Sequence, residues 1–414
     1  MPASPSTARA INDRLALRLL QQEGPLTAGQ LKQLTGLSRP SVADLVERLA
    51  LAGLIAVVGE SGEQRRGPNA KLYGIVADRA HLAALDVRLE GVSVVVSDLL
   101  GRVLAEASVP IGPDAGTGPA VEQAVTLVER TAKEAGADRL HTVGIGAPGL
   151  IDPAGGELRD STGLPAWHRR LVAALQERFP DARFSVENET NLAALAEQRD
   201  GAARDRDTFV LLWLGMGIGA AVVLDGALRR GASGGAGEIG FLPVPGTAGL
   251  PSATDCGGGF HSLAGAAAVA DLAARHGVAE RAGAQGEKSG PGRGQGAAAL
   301  VRAAVERAGA DPSAGRFLDA LADRVALGAA AVISVLDPGC LVLAGEIGRA
   351  GGDTLAARVQ RRLARLSPLP TEVRSSALGG GAVLRGALLT ARDRAQEELF
   401  APPGSRPALV TRAY

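Results

Sequence analysis

The chain has 414 residues, of which 46% are apolar and 21% charged, and its 44 Lys and Arg residues balance 44 Asp and Glu residues. This length and composition predict two or three globular domains with sizeable cores, and the zero net charge does not by itself indicate a nucleic-acid partner. Two cysteines, Cys256 and Cys340, exclude a disulfide framework and suit a reducing cytoplasm.

The N-terminal segment predicts a helix without an export signal. Residues 1–8 contain no apolar run of the kind that forms a signal peptide. Ile11, Leu15 and Leu19 recur at helical spacing. We therefore expect a first helix whose apolar face covers the two helices that follow.

A pair of short helices is predicted next. Thr27-Ala28-Gly29-Gln30 has the form of a capping box, which predicts that a helix begins there, and Gly36 is a typical helix end. Ser38 can cap a second helix, whose first turn tolerates Pro40. The apolar positions of this second helix follow i, i+3, i+4, i+7 spacing: Val42, Leu45, Val46 and Leu49. That spacing buries one face of the helix and leaves the other face free.

A basic strand–loop–strand unit follows the helix pair. Residues 54–58 alternate as in a strand, residues 59–69 form a turn-rich loop, and residues 71–75 return as a second strand. Helix, tight turn, helix and Arg-bearing wing in this order are typical of a winged helix-turn-helix DNA-binding domain, placed at residues 8–76. The alternative is a small helical packing module whose charges are merely solvated.

The free face of the second helix is expected to meet base edges in a major groove of double-stranded DNA. The candidate DNA-binding residues are Thr27, Ser38, Arg39, Ser41, Asp44, Arg48, Arg65, Arg66 and Lys71. Arg48 is expected nearer the DNA backbone, and the two wing arginines near phosphates or a minor groove. Residues 1–80 carry ten Lys and Arg against seven Asp and Glu, a modest excess that agrees with the motif.

From residue 81 onward, predicted strands and helices alternate. Strands are predicted over residues 82–86, 92–97 and 103–110, then a helix over 119–134 and a strand over 142–146, and the same order returns from residue 209. This order predicts mixed α/β sheets in two similar lobes around a cleft. The apolar tract at residues 325–345 is interrupted by Asp337-Pro338-Gly339, so it predicts a buried helix, a turn and a strand rather than a membrane span.

This second region also carries a series of short motifs. They are GIGAPGLID at residues 144–152, LPAW at 164–167, VENETNLAALAE at 186–197, GMGIG at 215–219, GAGEIG at 235–240, LDP at 336–338 and LVLAG at 341–345. In this order they closely resemble the ROK family of repressors and sugar kinases, over roughly residues 8–395. Their joint order is far more specific than one Gly-x-Gly-x-Gly motif.

The resemblance implies an α/β fold in which the winged domain precedes an actin-like (ribonuclease H-like), two-lobed domain of the sugar-kinase type at residues 80–398. Lobe one would comprise about 80–205 plus a C-terminal helix at about 381–398, and lobe two about 206–380. Residues 399–414 would form a flexible tail. A sugar would bind in the cleft, together with ATP in the kinase members.

The phosphate loops of the kinase members are altered here. Those kinases begin with Asp-x-Gly-Gly-Thr, whereas this chain has Asp86-Val87-Arg88-Leu89-Glu90-Gly91, whose side chains obstruct and repel a phosphate. Met216 replaces the Thr of the second loop, and Glu189 stands at the position of the catalytic Asp. Glu189 could still act as a base. We assign no catalytic residue, expect no cofactor and expect no kinase activity.

The family's sugar site is partly retained. Asn188 and Glu238 match residues that bind sugar hydroxyls, Glu189 could accept a further hydrogen bond, and Gly163 completes the candidate effector site. Phe241 replaces a His that usually contacts the sugar. Either the ligand differs from the common hexoses, or the cleft no longer binds sugar.

The zinc site of the family is not expected in this chain. Members that bind zinc use one His and three closely spaced Cys. Here Cys256 is the one Cys of that region, and Phe241 and Phe260 stand at ligand positions. His261 is expected to be a surface or packing residue, and we predict no metal.

The leading hypothesis is a bacterial, cytoplasmic transcriptional regulator that binds a DNA operator sequence-specifically. It would repress genes of carbohydrate uptake or catabolism and respond to a sugar-type effector between its lobes. A homodimer or homotetramer is expected because paired half-sites raise specificity. Two alternatives stay open: a sugar kinase with a fused DNA-binding domain, and a regulator that is gated by a partner protein and has an empty cleft.

Overall fold

The computed structural model describes residues 5–61, 69–112, 114–152, 158, 165–252, 257–278 and 293–401. These residues form a winged helix-turn-helix domain followed by two mixed α/β lobes, which confirms the predicted fold class. Among them, no helix combines the length and the apolar character that a membrane span requires. The following predicted features lie outside the described residues: Arg65, Arg66, Gly163, Cys256 and tail residues 402–414.

The N-terminal domain packs three helices against a small antiparallel sheet. Its elements are α1 (Pro5–Glu23), β1 (Leu26–Thr27), α2 (Ala28–Thr35), α3 (Arg39–Leu51), β2 (Ile55–Ser61) and β3 (Ala70–Ile75). The strand order is β1-β3-β2. Strand β2 extends to Ser61, beyond the predicted end at residue 58, because it stays paired with β3 across a bulge between Val57 and Gly59.

The local signals that define the helix pair are confirmed. The Thr27 Oγ accepts a hydrogen bond from the Gln30 backbone N–H at 3.2 Å, and the Thr27 N–H donates to the Gln30 side chain at 2.8 Å. Gly36 ends α2 in the left-handed region at φ 71°, where a residue with a Cβ would be strained. Ser38 caps α3. The four predicted apolar residues of α3 are all buried.

The predicted packing face of α1 is wrong for Ile11 and Leu15, whereas Leu19 packs against the core as predicted. Ala16, Leu17 and Leu20 are buried, whereas Ile11 and Leu15 remain 58% and 39% exposed. Apolar side chains occur on more than one face of this helix, so spacing alone does not determine which of them packs. Contacts of α1 with α2, α3 and β3 select the buried side.

Lobe one is built on a five-stranded sheet in the order β6-β5-β4-β7-β8. Its elements are β4 (His81–Arg88), β5 (Gly91–Ser97), β6 (Val103–Pro110), α4 (Thr117–Glu134), β7 (Leu140–Ala147), α5 (Ala166–Arg178), β8 (Arg183–Asn188) and α6 (Glu189–Asp200). The first three strands pair antiparallel, and β7 and β8 join in parallel.

Lobe two repeats the same arrangement in the order β11-β10-β9-β12-β13. Its elements are β9 (Phe209–Leu214), β10 (Ile218–Leu224), β11 (Ala227–Arg229), α7 (His261–Ala264), α8 (Ala266–Arg275), α9 (Arg293–Arg307), α10 (Pro312–Leu336), β12 (Cys340–Ala344), α11 (Gly345–Leu366) and β13 (Glu372–Ser375). The apolar tract predicted as helix, turn and strand is α10 followed by β12.

The last helix, α12 (Ala382–Leu399), returns to lobe one. A Cβ atom at Gly386 would collide with the carbonyl of Leu192 in α6, and one at Gly144 in β7 would collide with the carbonyl of Ala387. These two glycines therefore allow α12 to lie directly against the backbone of lobe one.

The winged domain and lobe one share one continuous apolar core. Leu17 and Ile55 of the winged domain belong to the same buried cluster as Leu99 of lobe one and Ala395 of α12. The Gln396 side chain donates to the Leu99 carbonyl at 2.9 Å. The winged domain therefore rests on lobe one and on the C-terminal part of α12.

Candidate functional site

The exposed face of α3 is a candidate DNA-reading surface. Ser38, Arg39, Ser41 and Asp44 are all exposed on this helix. The hydroxyls of Ser38 and Ser41 lie 2.8 Å apart and share a hydrogen bond. The Arg39 side chain makes no hydrogen bond or ion pair with a described residue, so its guanidinium is available to a partner.

Arg48 is held inside the winged domain. Its guanidinium donates to Asp13 of α1 at 2.6 Å and also pairs with Asp44 one helical turn away. These bonds join α3 to α1. Arg48 therefore has a structural contact that the sequence did not indicate. The same guanidinium also occupies one carboxylate oxygen of Asp44.

Arg48→Ala is expected to destabilise the winged domain by about 1 kcal/mol because it removes an ion pair that joins two helices. Asp13→Ala should reproduce that loss, and a double-mutant cycle should give a coupling of about 0.5 to 1 kcal/mol. Urea denaturation of the full chain measures both values. If Arg48→Ala lowers the operator affinity and Asp13→Ala does not, Arg48 is instead a residue that contacts DNA.

The two remaining candidates of this domain differ in accessibility. Thr27 is buried, and its hydroxyl is used by the cap of α2. Lys71 is exposed on β3, where it lies opposite Glu60 of β2. Lys71 therefore faces solvent near the start of the wing.

A cavity of about 250 Å³ opens between the two lobes. Five carboxylate side chains line it, three from lobe one and two from lobe two: Asp86, Glu90, Glu189, Glu238 and Glu346. Asn188 and His261 also line it. The structure therefore brings together three of the four predicted effector residues, since Gly163 lies outside its described part.

The junction of β8 and α6 positions Asn188 and Glu189. The Asn188 Oδ1 caps α6 by accepting from the Thr190 N–H at 2.9 Å and the Asn191 N–H at 3.3 Å. Its Nδ2 donates to the Gly149 carbonyl at 3.0 Å and to Glu189 at 2.9 Å. The amide of Asn188 is thus fully used, and a ligand would have to displace one of these bonds.

Burial raises the pKa of Glu189 to about 8, and the carboxylates of Asp86, Glu238 and Glu346 strengthen this effect. Glu189 is therefore largely protonated at neutral pH, and it can donate to a ligand oxygen as well as accept. Desolvation also raises the pKa of Glu238, which lies at the open side of the cleft.

Arg88 spans the cleft at the position of the altered phosphate loop. Its Nε donates to Asp86 at 2.9 Å within lobe one, and its Nη1 donates to Glu346 of lobe two at 3.2 Å. A further bond reaches the Gly380 carbonyl at 3.4 Å. Sequence reasoning singled out Arg88 as an obstacle to phosphate, but it missed this ion pair between lobes.

His261 is a packing residue, as expected, and it also forms part of the cleft wall. Its Nδ1 accepts a hydrogen bond from the Ile218 N–H at 3.1 Å, and its ring packs edge-on against Phe241. Burial lowers the pKa of this imidazole. The short helix α7 turns His261 towards the GMGIG loop, and Gly240 leaves room for its ring.

A metal site is absent from the described part of the chain, where no group of three or more His, Cys, Asp or Glu could hold an ion. Cys256 lies outside that part. The five carboxylates of the cleft are thus too dispersed to act as one set of metal ligands.

Two lobes with the same strand order around a polar cleft, preceded by a winged helix, define a protein of the sugar-kinase fold type with an attached DNA-reading domain. The ROK family profile matches residues 83–394, and the chain belongs to the ROK family. The MarR family profile matches residues 11–67 of the winged domain.

Two curated relatives are named as regulators. The xylose repressor of Caldicellulosiruptor bescii is 25% identical over 240 residues, which are 57% of this chain and 59% of that protein. The DNA-binding transcriptional dual regulator NagC of Escherichia coli K12 is 28% identical over 244 residues, which are 57% of this chain and 58% of that protein. The chain thus matches slightly less than three fifths of the length of these relatives.

A solved structure of a ROK family transcriptional regulator, described as a homolog of the E. coli MLC protein, has a TM-score of 0.72 to this chain. It is 21% identical, and the match covers 95% of this chain and 98% of the other. At this identity the likeness shows the fold alone. It extends over the winged domain and both lobes.

Proposed function

We propose that this protein is a sequence-specific transcriptional regulator in bacteria, a repressor of genes for carbohydrate uptake or catabolism. The observation that carries the proposal is the exposed face of α3, on a winged domain that is packed against lobe one of a two-lobed domain. On this face the guanidinium of Arg39 has no partner among the described residues. The name of the xylose repressor supports a role in sugar metabolism, and the name of NagC supports transcriptional regulation, each over the part of the relative that aligns.

The cleft supports the binding of an effector rather than phosphoryl transfer. A nucleoside triphosphate would face five carboxylates, and Arg88 is already neutralised by Asp86 and Glu346. In the phosphoryl-transfer enzymes, cationic groups and backbone amides surround the phosphates instead. We therefore propose that the protein is not a kinase.

The proposed mechanism couples the cleft to the winged domain through lobe one. Val383 of α12 lines the cleft, and Glu397 near the other end of the same helix pairs with Arg14 of the winged domain at 3.1 Å. An effector that binds one arrangement of the lobes more tightly shifts the population towards it. A coupling of about 1 to 3 kcal/mol would change operator affinity roughly 5- to 150-fold.

Selection of a random duplex library with the purified full chain tests this proposal. We expect enrichment of a sequence with two related half-sites, since a dimer or tetramer presents paired recognition helices. Binding of the selected duplex should exceed binding of random duplex at the same salt concentration. Failure to enrich any sequence would contradict the proposed function.

A second assay separates the regulator from the two alternatives. Incubation with ATP-Mg and a panel of sugars should yield no sugar phosphate, and appreciable phosphorylation would support the fused kinase. Calorimetry with the same sugars should detect heat for at least one of them. Intact operator binding with no heat from any sugar would favour a regulator gated by a partner protein.

A further inference from the structure

The charge of the cleft distinguishes between classes of effector. Its lining carries five carboxylates from both lobes, and Arg88 is the one Lys or Arg side chain among the described lining residues. That guanidinium is paired with Asp86 and Glu346, so its charge is already balanced by carboxylates of the protein. A ligand would therefore meet more carboxyl groups than cationic groups.

Asp86 provides a second and independent observation. It lines the cavity, it is 5% exposed, and its Oδ2 is paired with Arg88. Its other carboxylate oxygen, Oδ1, is buried and has no hydrogen-bond partner in the described structure. Buried acceptors are normally satisfied, so an unpaired carboxylate oxygen beside a cavity points to a donor that a ligand supplies.

The kind of donor follows from the spacing of the acidic groups. The described carboxylates form no cluster that could hold a metal ion. Their distribution suits an organic molecule with several donors, in which hydroxyl groups reach some carboxylates and one cationic group reaches another. A phosphorylated sugar would bring like charge into this site, which opposes binding.

We propose that the cleft takes a polyhydroxylated cation, an amino sugar with a free ammonium group, in preference to neutral or phosphorylated sugars. In this arrangement the ammonium group donates to the Oδ1 of Asp86. Hydroxyl groups of the sugar interact with Glu189, and the carboxylate of Glu238 adds to the attraction for the ammonium group. This inference rests on the proposed role of the cleft as an effector site.

Calorimetric titration of the full chain with matched ligand sets tests the inference at a pH where the amine is protonated. Each set contains a 2-amino hexose, its N-acetyl derivative, the parent hexose and the amino hexose 6-phosphate, in the gluco, galacto and manno series. In the series that binds best, we expect the free amine to bind at least tenfold more tightly than the N-acetyl and parent sugars. The phosphate should bind most weakly.

Equal or tighter binding of the neutral or phosphorylated member would overturn the inference, as would the absence of binding in all three series. Operator binding is measured on the same preparation. If the selected duplex still binds but the free amine is not the tightest-binding sugar, the inference about the ammonium group fails and the proposed function stands. If no duplex binds specifically, the proposed function fails.

Two variants test the assignment of the carboxylates. Asp86→Asn and Glu238→Gln should each reduce the preference for the free amine over the N-acetyl sugar at least threefold. The Glu238 side chain makes no hydrogen bond with a described residue, so Glu238→Gln keeps the test valid if Asp86→Asn fails to fold. Glu106→Gln, at an exposed position of β6 outside the cavity, is the matched control and should leave the preference unchanged. An unchanged preference in Glu238→Gln would overturn the assignment.

Discussion

Arg39→Ala is expected to weaken binding to the selected operator about 5- to 150-fold, with a much smaller loss on random duplex. Arg39 is the first residue of α3, it is exposed, and its side chain makes no hydrogen bond with a described residue. A guanidinium that contacts a guanine through two hydrogen bonds contributes roughly 1 to 3 kcal/mol of discrimination. Fluorescence anisotropy with labelled specific and random duplexes measures both affinities at one salt concentration.

The matched control for this prediction is Arg170→Ala, which removes an exposed arginine from α5 of lobe one. It changes the net charge equally and should leave the ratio of specific to random affinity unaltered. Equal losses on both duplexes in Arg39→Ala would make Arg39 a phosphate contact without a role in specificity. If Arg39→Ala lowers the affinity for neither duplex, Arg39 is not part of the DNA interface.

Glu197→Ala is expected to lower the free energy of unfolding by about 3 kcal/mol or more. Glu197 is fully buried in α6, and its carboxylate accepts bonds from the Ala202 N–H at 2.6 Å and the Ser376 hydroxyl at 2.6 Å. It also accepts from the N–H groups of Ala377 and Leu378. These bonds join lobe one to the segment that follows β13. Alanine would leave four donors without their acceptor.

Urea denaturation followed by the fluorescence of Trp167 and Trp213 measures the loss. Glu197→Gln should fall between the wild type and Glu197→Ala, because it keeps one acceptor oxygen but places an NH₂ group among donors. Glu177→Ala, on the exposed side of α5, is the control and should stay within about 0.5 kcal/mol of wild type. A loss below about 1 kcal/mol in Glu197→Ala would show that water replaces the carboxylate without difficulty.

The features that the sequence predicted well are local ones. The capping box of Thr27 and Gln30, the cap at Ser38 and the left-handed end at Gly36 each depend on residues within four positions of one another. The alternation of strands and helices likewise predicted two lobes, because each element reflects its own apolar spacing. The order of motifs then identified the residues of the cleft.

The features that the sequence missed depend on contacts between distant segments. Arg88 and Glu346 are 258 positions apart, and no local pattern links them. Asp13 and Arg48 meet because α1 packs across α3, and the apolar residues of α1 left its orientation open. His261 is held at the cleft by a hydrogen bond from the Ile218 N–H, which lies 43 positions away in the chain. A search for unpaired charges next to glycine-rich loops could have singled out Arg88 and Glu346.

The core that the winged domain shares with lobe one limits how an effector can act. Because Leu17 and Leu99 belong to one buried cluster, the domain has no free hinge at that junction, and its own fold should be insensitive to the cleft. In the proposed dimer or tetramer, the response to the proposed effector would then be a change in the distance or angle between the recognition helices of two protomers. Operators that differ only in the length of DNA between half-sites should therefore differ in their sensitivity to the same effector.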